Sequence, residues 1–247
     1  DLESMAAPGG NDDWGFVYVT HELDNNWGQL RGRDIKTDDN GNYVVNETGT
    51  YAYETGQYLG SILPDFTGGV LNSFTFFDLI NLSASIDFQK GGKFYSLSEM
   101  WGNYSGLLEE TAVLNDRGNN VRDDPTEGGG VHVTGVTEAG ETYDDYIDAY
   151  TYFSQFQSNT IPTPFIHDAS YIKLRELSLS VNLPQSILGN SFIKGASVGF
   201  VGRNLWLIAV AEDNVHRWDP SELSRSYGES AQMPGTRSYG FNVKLTF

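Results

Sequence analysis

The end of the chain constrains its fold more than any other segment. Large apolar side chains occupy every second position there, at Tyr239, Phe241, Val243, Leu245 and Phe247. The residues between them are small or polar. Alternation with a period of two places successive side chains on opposite sides of an extended backbone. Residues 237–247 are therefore predicted to form a β-strand with one apolar and one polar face.

The same alternation recurs in four other segments. They are 68–77, 80–90, 170–183 and 195–210, and Pro184 ends the third of them. The chain is 13% aromatic and has 28 glycines against 8 prolines, which is typical of strands joined by Gly-rich turns. The fold class predicted from these segments is all-β and antiparallel.

The polar faces of these strands indicate their surroundings. They consist mostly of Ser, Gly, Asn and Thr, whereas the surface of a soluble protein usually carries more charge. Small neutral residues suit a wall packed against a filled lumen, and the apolar face would then meet lipid. A soluble secreted β-sandwich that binds carbohydrate gives the same alternation with its apolar face inside, and it remains the alternative.

The connections between the predicted strands alternate in length. The connection at Asp78 is very short, whereas 91–168 and 211–235 are long. Short turns at one end and long loops at the other are typical of outer-membrane barrels, and a compact soluble domain seldom carries so long an irregular connection. We therefore expect 91–168 and 211–235 to be extracellular loops. Residues 1–67 are expected to form an extracellular loop and hairpin region and the connection to the barrel, with a type I′ turn at Asn40–Gly41.

Composition excludes several classes of protein. The net charge of −18 would repel phosphate backbones, so no nucleic-acid partner is expected. The absence of cysteine excludes disulfides and thiolate metal sites. No run approaches the roughly 20 apolar residues of a membrane helix. The first residues carry no signal-peptide pattern, so we expect either that a signal was removed or that the sequence is the later part of a longer chain.

No arrangement of residues predicts catalysis. The four histidines fit no metal-binding or catalytic motif, so no enzyme activity, metal or cofactor is expected. Asp123–Asp124 and Asp144–Asp145 could supply the carboxylates of a glycosidase. The preferred interpretation is that they are charged loop residues exposed to solvent. The acidic cluster after Lys36 lacks the ligand spacing of a calcium loop.

Two groups of residues are candidates for binding. Aromatic residues of the long loops suit the recognition of a sugar, a peptide or a covering partner, although each could instead pack its own loop. The candidates are Trp101, Tyr104, Tyr152 and Trp218. Lys173 and Arg175 extend the apolar face of 170–183, so they are candidates for contact with lipid head groups at the outer rim. The alternative is a β-bulge that returns Ile172 and Leu174 to that face.

Five blocks of sequence together resemble the SusC/RagA family of TonB-dependent outer-membrane transporters of Bacteroidota. The resemblance covers about residues 60–247 in the order of the family. Its blocks are LPDFTGGVLNSFTFFDLINLSASIDFQKGGKFYS, DASYIKLRELSLSVNLPQSIL, GFVGRNLWLIA, WDPSE and PGTRSYGFNVKLTF.

The resemblance implies a fold and a function. The five strands would be the C-terminal strands of a 22-stranded transmembrane β-barrel, completed by residues outside this sequence. The barrel would import glycans or oligopeptides across the outer membrane. Its partners would be a SusD-like surface lipoprotein and the TonB complex, which acts through a plug absent from this sequence. Two transporter–lipoprotein pairs could form a dimer. The last strand, ending on Phe247, would be the signal for barrel assembly.

Overall fold

The structure is a computed structural model, and it describes residues 4–11, 16–189 and 192–247. It consists mostly of β-strands in antiparallel sheets, which confirms the predicted β class at that level. The chain forms two compact units. The sheet unit contains 64–92, 168–222 and 233–247, and the core unit contains the described residues of 1–63, 93–167 and 223–232.

The elements follow one another along the chain in this order. The first strands are β1 (Ser4–Asn11), β2 (Val17–Glu22), β3 (Gln29–Ile35), β4 (Tyr53–Ser61), β5 (Phe66–Phe76), β6 (Ile80–Lys90) and β7 (Lys93–Ser96). Then come α1 (Leu97–Tyr104), β8 (Val131–Val136), β9 (Thr142–Ile147), α2 (Ala149–Ser158), β10 (Ile166–Asp168), β11 (Tyr171–Leu183), α3 (Gln185–Leu188), β12 (Gly195–Val210), β13 (Gly228–Glu229) and β14 (Ser238–Thr246). None of the helices in the described ranges is long and apolar enough to cross a membrane.

The sheet unit is a five-stranded antiparallel sheet in the order β14-β12-β11-β6-β5. Its strands lie where the alternation predicted them, with each end within two residues of the predicted bound. β5 and β6 are joined by the three residues 77–79, and the Leu79 N–H donates to the Phe76 carbonyl over 3.0 Å. Within this turn Phe77 and Asp78 have φ of 54° and 57°. Positive φ at both positions is the mark of a type I′ turn, whose twist matches that of the flanking strands.

The core unit corrects the prediction that 91–168 is irregular. This segment contains β7 to β9, α1 and α2, and its apolar side chains are buried with those of 16–51. Leu97 and Met100 on α1 and Phe156 on α2 belong to one hydrophobic core. Each helix begins at a capped residue, because Ser96 accepts from the backbone N–H of Glu99 and Asp148 from that of Thr151. Period-two alternation does not indicate α1 and α2, because the apolar residues of these helices follow helical spacing.

The remaining strands of the core unit form small sheets. β1 to β4 form an antiparallel sheet in chain order, and Val17, Val19 and Leu30 are buried on it. β8 and β9 form a hairpin, and β13 pairs in parallel with β7. The parallel pair connects segments more than 120 residues apart in the chain, which no local pattern could predict.

The hairpin at Asn40–Gly41 is present, but its turn is not of type I′. Only Gly41 has a positive φ, of 83°, and its N–H donates to the carbonyl of Asp38 over 3.0 Å. The Asp38 carboxylate accepts from the backbone N–H of Asn40 and of Asn42, over 2.9 and 2.8 Å. An aspartate that closes its own turn favours a type I turn followed by a left-handed glycine.

Candidate functional sites

The five strands of the sheet unit carry a continuous row of apolar residues. Residues directly opposite each other in an antiparallel pair point to the same face. The register therefore aligns Phe74, Leu82, Leu179, Phe200 and Phe241, one from each strand. A neighbouring row aligns Phe76, Ile80, Val181, Val198 and Val243.

This apolar face is exposed. Phe241 is 83% exposed, Phe74 52% and Phe200 40%. Soluble monomers rarely expose contiguous apolar patches larger than a few hundred Å², because such surface is unfavourable in water. In the described residues the two outer strands, β5 and β14, have a partner on one side only.

The other face of the sheet carries small polar side chains. One row aligns Thr75, Asn81, Ser180, Gly199 and Asn242. In this row the Thr75 hydroxyl donates to the side-chain oxygen of Asn81 over 2.9 Å. In the next row Ser83 and Ser178 share a hydrogen bond of 2.8 Å. The sheet thus has one apolar face and one polar, weakly charged face.

The last strand presents its predicted apolar residues on the exposed face. Tyr239, Phe241 and Val243 lie opposite Gly202, Phe200 and Val198 of β12. Leu245 follows in the same register, and the ring of Phe247 stacks on Phe192 with centroids 5.5 Å apart. Contact with lipid and a role in assembly remain predictions for these residues.

Lys173 does not lie on the surface predicted for lipid head-group contact. It is 2% exposed, and its ammonium contacts Asp219 at 2.5 Å, Glu222 at 3.0 Å and Ser221 at 3.1 Å. Three acceptors match the three protons of an ammonium group, which makes its burial tolerable.

Arg175 extends this charged cluster on the same side of the sheet. Its guanidinium bonds to Asp87 over 2.8 Å and to Glu222 over 3.0 Å. The register of β11 shifts between Leu174 and Glu176. This shift is the β-bulge that was the alternative interpretation of the sequence. The bulge reverses which side the alternate residues face, so Leu174 joins the apolar face while Lys173 and Arg175 point away from it. The prediction that these two cations contact lipid head groups is therefore wrong.

The four candidate aromatic residues do not form one site. Trp101 and Tyr104 lie on α1, with ring centroids 5.5 Å apart, and both pack on the core of their unit. Tyr152 lies on α2. Trp218 belongs to the sheet unit, where its backbone N–H donates to the Asn214 side chain over 2.9 Å. A ligand or partner contact for each of them remains a prediction.

Tyr152 lines a cavity of about 660 Å³ in the core unit. Six of its fifteen lining residues are aromatic, namely Tyr43, Tyr51, Tyr152, Phe153, Phe156 and Phe165. Burial raises the pKa of the Tyr51 and Tyr152 hydroxyls above the ordinary value, so both remain neutral hydrogen-bonding groups. A smaller cavity of about 290 Å³ is lined by Tyr104, and it shares Asn103 and Phe153 with the larger one.

The polar part of the larger cavity's wall was not predicted. It consists of Glu99, Asn103, Glu110 and Thr163. The Glu99 carboxylate is buried and accepts from the His167 ring over 2.7 Å. The side-chain oxygen of Asn103 is buried without a hydrogen-bond partner. The spacing of Glu99 and Asn103, four apart on a helix, places them on one face and could have indicated them once α1 was recognised.

The acidic pairs considered for a glycosidase have local partners. Asp144 bonds to His132 over 2.7 Å, and Asp145 accepts from the backbone N–H of Tyr146 over 2.7 Å. Asp124 accepts from the N–H and hydroxyl of Thr126. These contacts are typical of strand and turn residues rather than of two carboxylates that flank a cleft. The expectation that the chain is not an enzyme remains a prediction.

The sheet thus belongs to the class of antiparallel sheets with one exposed apolar face, and solved structures carry a similar fold. The chain is 17% identical to the RagAB peptide importer in its closed-closed state, with a TM-score of 0.59. It is 16% identical to a second structure of the RagAB peptide transporter and 17% identical to the importer in its open-open state, with TM-scores of 0.56 and 0.54.

These likenesses cover all of this chain but only 24–25% of each matched chain. At such identities they show the fold alone. The chain therefore has the fold of about a quarter of a chain in that importer. No protein-family model and no curated protein matches the sequence.

Proposed function

We propose that this chain is part of a SusC-type, TonB-dependent importer in the outer membrane. The observation that carries the proposal is the apolar row from Phe74 to Phe241, which crosses all five strands on an exposed face. A transmembrane barrel wall needs such a face toward lipid and a polar face toward its lumen. The sheet unit supplies this wall.

The open sheet edges support a larger barrel. In lipid, unpaired backbone groups at β5 and β14 would each cost several kcal/mol, so both edges need partner strands. The match to about a quarter of a longer chain is consistent with those strands lying elsewhere in the importer. We propose that the complete barrel has 22 strands and that β14, through Phe247, directs its assembly.

The proposed substrate class is supported by the resemblance and by the solved structures of similar fold. The importer takes up oligopeptides or glycans, and RagAB is described as a peptide importer. A SusD-like surface lipoprotein covers its outer opening, and the TonB complex acts through the plug of the importer. Two such transporter–lipoprotein pairs form a dimer. Aromatic residues of the core unit, Tyr152 among them, contact the substrate.

The first experiment is fractionation of the cells that make this protein. The proposal predicts recovery from the outer membrane only with detergent, as a polypeptide about four times the 27.3 kDa of this chain. It also predicts co-purification of a surface lipoprotein and loss of peptide or glycan uptake when the gene is deleted. Recovery at 27.3 kDa from the soluble fraction would contradict it and would favour the secreted β-sandwich.

A further inference from the structure

We propose that the larger cavity of the core unit binds an aromatic side chain of an imported oligopeptide. The inference rests on the proposed function and deepens it, because it favours oligopeptides over glycans as the substrate. The burial of the cavity wall, the contacts among its rings and the partners of its polar groups support the assignment.

The cavity has a buried floor and an exposed apolar rim. Phe156 and Phe165 line it and are buried, whereas Tyr43 and Val113 line it and are 47% and 44% exposed. Its volume of about 660 Å³ lies within the range of about 300–1,000 Å³ that is typical of ligand sites. Apolar side chains exposed around a cavity are unfavourable in water, so a guest that covers them is stabilised.

The polar part of the wall is already engaged within the protein. The Glu99 carboxylate accepts from the His167 ring over 2.7 Å, and the Thr163 hydroxyl donates to a neighbouring carboxylate over 2.7 Å. Glu110 also has a partner. The side-chain oxygen of Asn103 lacks one, but it is buried and cannot meet a guest. A sugar would bury hydroxyls that need hydrogen bonds, so this wall suits an apolar guest better than a glycan.

The rings of the wall favour a guest that is itself aromatic. Tyr152 packs edge to face with Phe153 and with Phe156, with centroids 5.0 and 5.7 Å apart. Phe156 packs in the same way on Phe165, at 5.9 Å. Edge-to-face pairs are stabilised beyond the burial of their area, because the positive edge of one ring meets the negative face of the other. A further ring would gain such contacts, whereas an aliphatic side chain would not.

The charge of the wall disfavours acidic side chains as guests. Glu99 and Glu110 are the only acidic or basic residues among those that the structure describes in the wall. Both would repel an added carboxylate, as would the net charge of −18. A cation would have to compete with the partners that these two carboxylates already have. A neutral ring, such as that of phenylalanine, meets neither obstacle.

Three peptides that differ in one side chain test the inference. Calorimetry measures the binding of acetyl-Gly-Gly-Phe-Gly-Gly-amide to the complete purified protein, held in lipid nanodiscs so that no detergent occupies the cavity. We expect this peptide to bind at least about tenfold more tightly than its alanine counterpart, which corresponds to about 1.4 kcal/mol. The cyclohexylalanine peptide, whose ring is similar in size but not aromatic, should also bind more weakly. A phenylalanine peptide that does not bind, or binds no more tightly than either of the others, would overturn the inference.

Matched variants locate the site. Val113→Asp places a carboxylate at the exposed rim, so it should lower the affinity for the phenylalanine peptide at least about tenfold. Leu114→Asp makes the same change at an exposed neighbour that does not line the cavity, so the affinity should be retained. Equal effects of the two variants, or no effect of Val113→Asp, would place the peptide elsewhere and overturn the assignment.

A glycan provides the last comparison. Cellotetraose added before the phenylalanine peptide should leave the affinity for the peptide unchanged, whereas competition between them would favour a glycan site and overturn the assignment. Because binding is measured on purified protein, it is independent of the fraction from which the protein was recovered. Its failure is therefore distinguishable from failure of the import proposal.

Discussion

Phe200 of β12 lies directly opposite Phe241 of β14, with ring centroids 5.5 Å apart in an edge-to-face arrangement. Both rings are exposed, and both belong to the row that begins at Phe74 on the far edge of the sheet. In water this contact would leave most of the Phe241 ring unfavourably hydrated. In lipid the same rings form part of a continuous nonpolar wall, which is why this pair is central to the proposed function.

A charge on this row should destabilise the protein in lipid. Phe241→Arg is expected to lower the free energy of unfolding in lipid vesicles by about 2–4 kcal/mol, because the cation would face hydrocarbon. Asn242→Arg is the control, since Asn242 is the next residue on the strand and points to the polar face. Denaturant titration in vesicles measures both. Equal losses for the two variants would show that the faces do not differ in environment.

Removing the buried ammonium of Lys173 should destabilise the sheet unit. Lys173→Met removes the cation that Asp219 and Glu222 share, although Glu222 keeps its pair with Arg175. A loss of about 1–3 kcal/mol in unfolding free energy is expected. Lys36→Met is the matched control. Lys36 forms an exposed ion pair with Glu138 at 3.4 Å. Loss of this pair should lower the free energy of unfolding by no more than about 0.5 kcal/mol. Similar losses for both variants would mean that burial of Lys173 does not matter.

The hairpin β8–β9 should be most stable in mildly acidic solution. His132 lies between Asp144, at 2.7 Å, and Asp116, at 2.9 Å, and its ring stacks on Tyr146 with centroids 4.5 Å apart. Arg117 lies 3.5 Å above the centre of the Tyr146 ring. The hydrogen bond to Asp144, followed by the charge of Asp116, raises the pKa of His132, and this stabilising contribution is lost as the pH rises through the raised value.

The stability that this cluster contributes to the hairpin is also lost in acidic solution. The Tyr146 hydroxyl, followed by the charge of His132, lowers the pKa of Asp116, and its contribution disappears as the pH falls through the lowered value. Both contributions are complete between about pH 4 and pH 6.5, the ordinary values of the two groups. Amide exchange of the hairpin should therefore be slower at about pH 5.5 than at about pH 8.5, after correction for the intrinsic rate. His132→Asn should remove this difference, and its persistence in the variant would contradict the assignment.

Gly135 on β8 should tolerate no side chain. A Cβ at Gly135 would lie 2.3 Å from the carbonyl oxygen of Tyr43, which lines the cavity. Gly135→Ala is therefore expected to cost about 1–3 kcal/mol of stability. Gly140→Asn is the control, because Gly140 has open space around it and asparagine accepts its positive φ. Thermal unfolding compares the two. An unchanged midpoint for Gly135→Ala would show that the backbone moves freely there.

The strands of the sheet unit could be predicted because their pattern is local. Each alternates over about ten residues, and the exposed face preserves that alternation in the structure. Lys173 was misplaced because a bulge at Leu174–Glu176 shifts the phase of the alternation by one residue, and no residue type marks that shift.

The core unit was missed for a different reason. Its helices are short and owe their stability to burial against distant residues, as when Leu97 and Phe156 join the core formed by Val17 and Leu30. In the sequence only the residue type of Tyr152 indicates it as a binding candidate. Glu99, Asn103 and Glu110 become a group only when α1 and the segment after it fold together.

The most direct test of the central claim is the accessibility of β14 in a membrane. The sequence has no cysteine, so single cysteines can be introduced from Tyr239 to Thr246 and spin-labelled in the complete protein in vesicles. We predict that labels at 239, 241, 243 and 245 contact oxygen dissolved in the lipid, whereas labels at 240, 242, 244 and 246 contact a water-soluble nickel chelate. Uniform contact with the chelate at all eight positions would contradict a membrane-facing sheet.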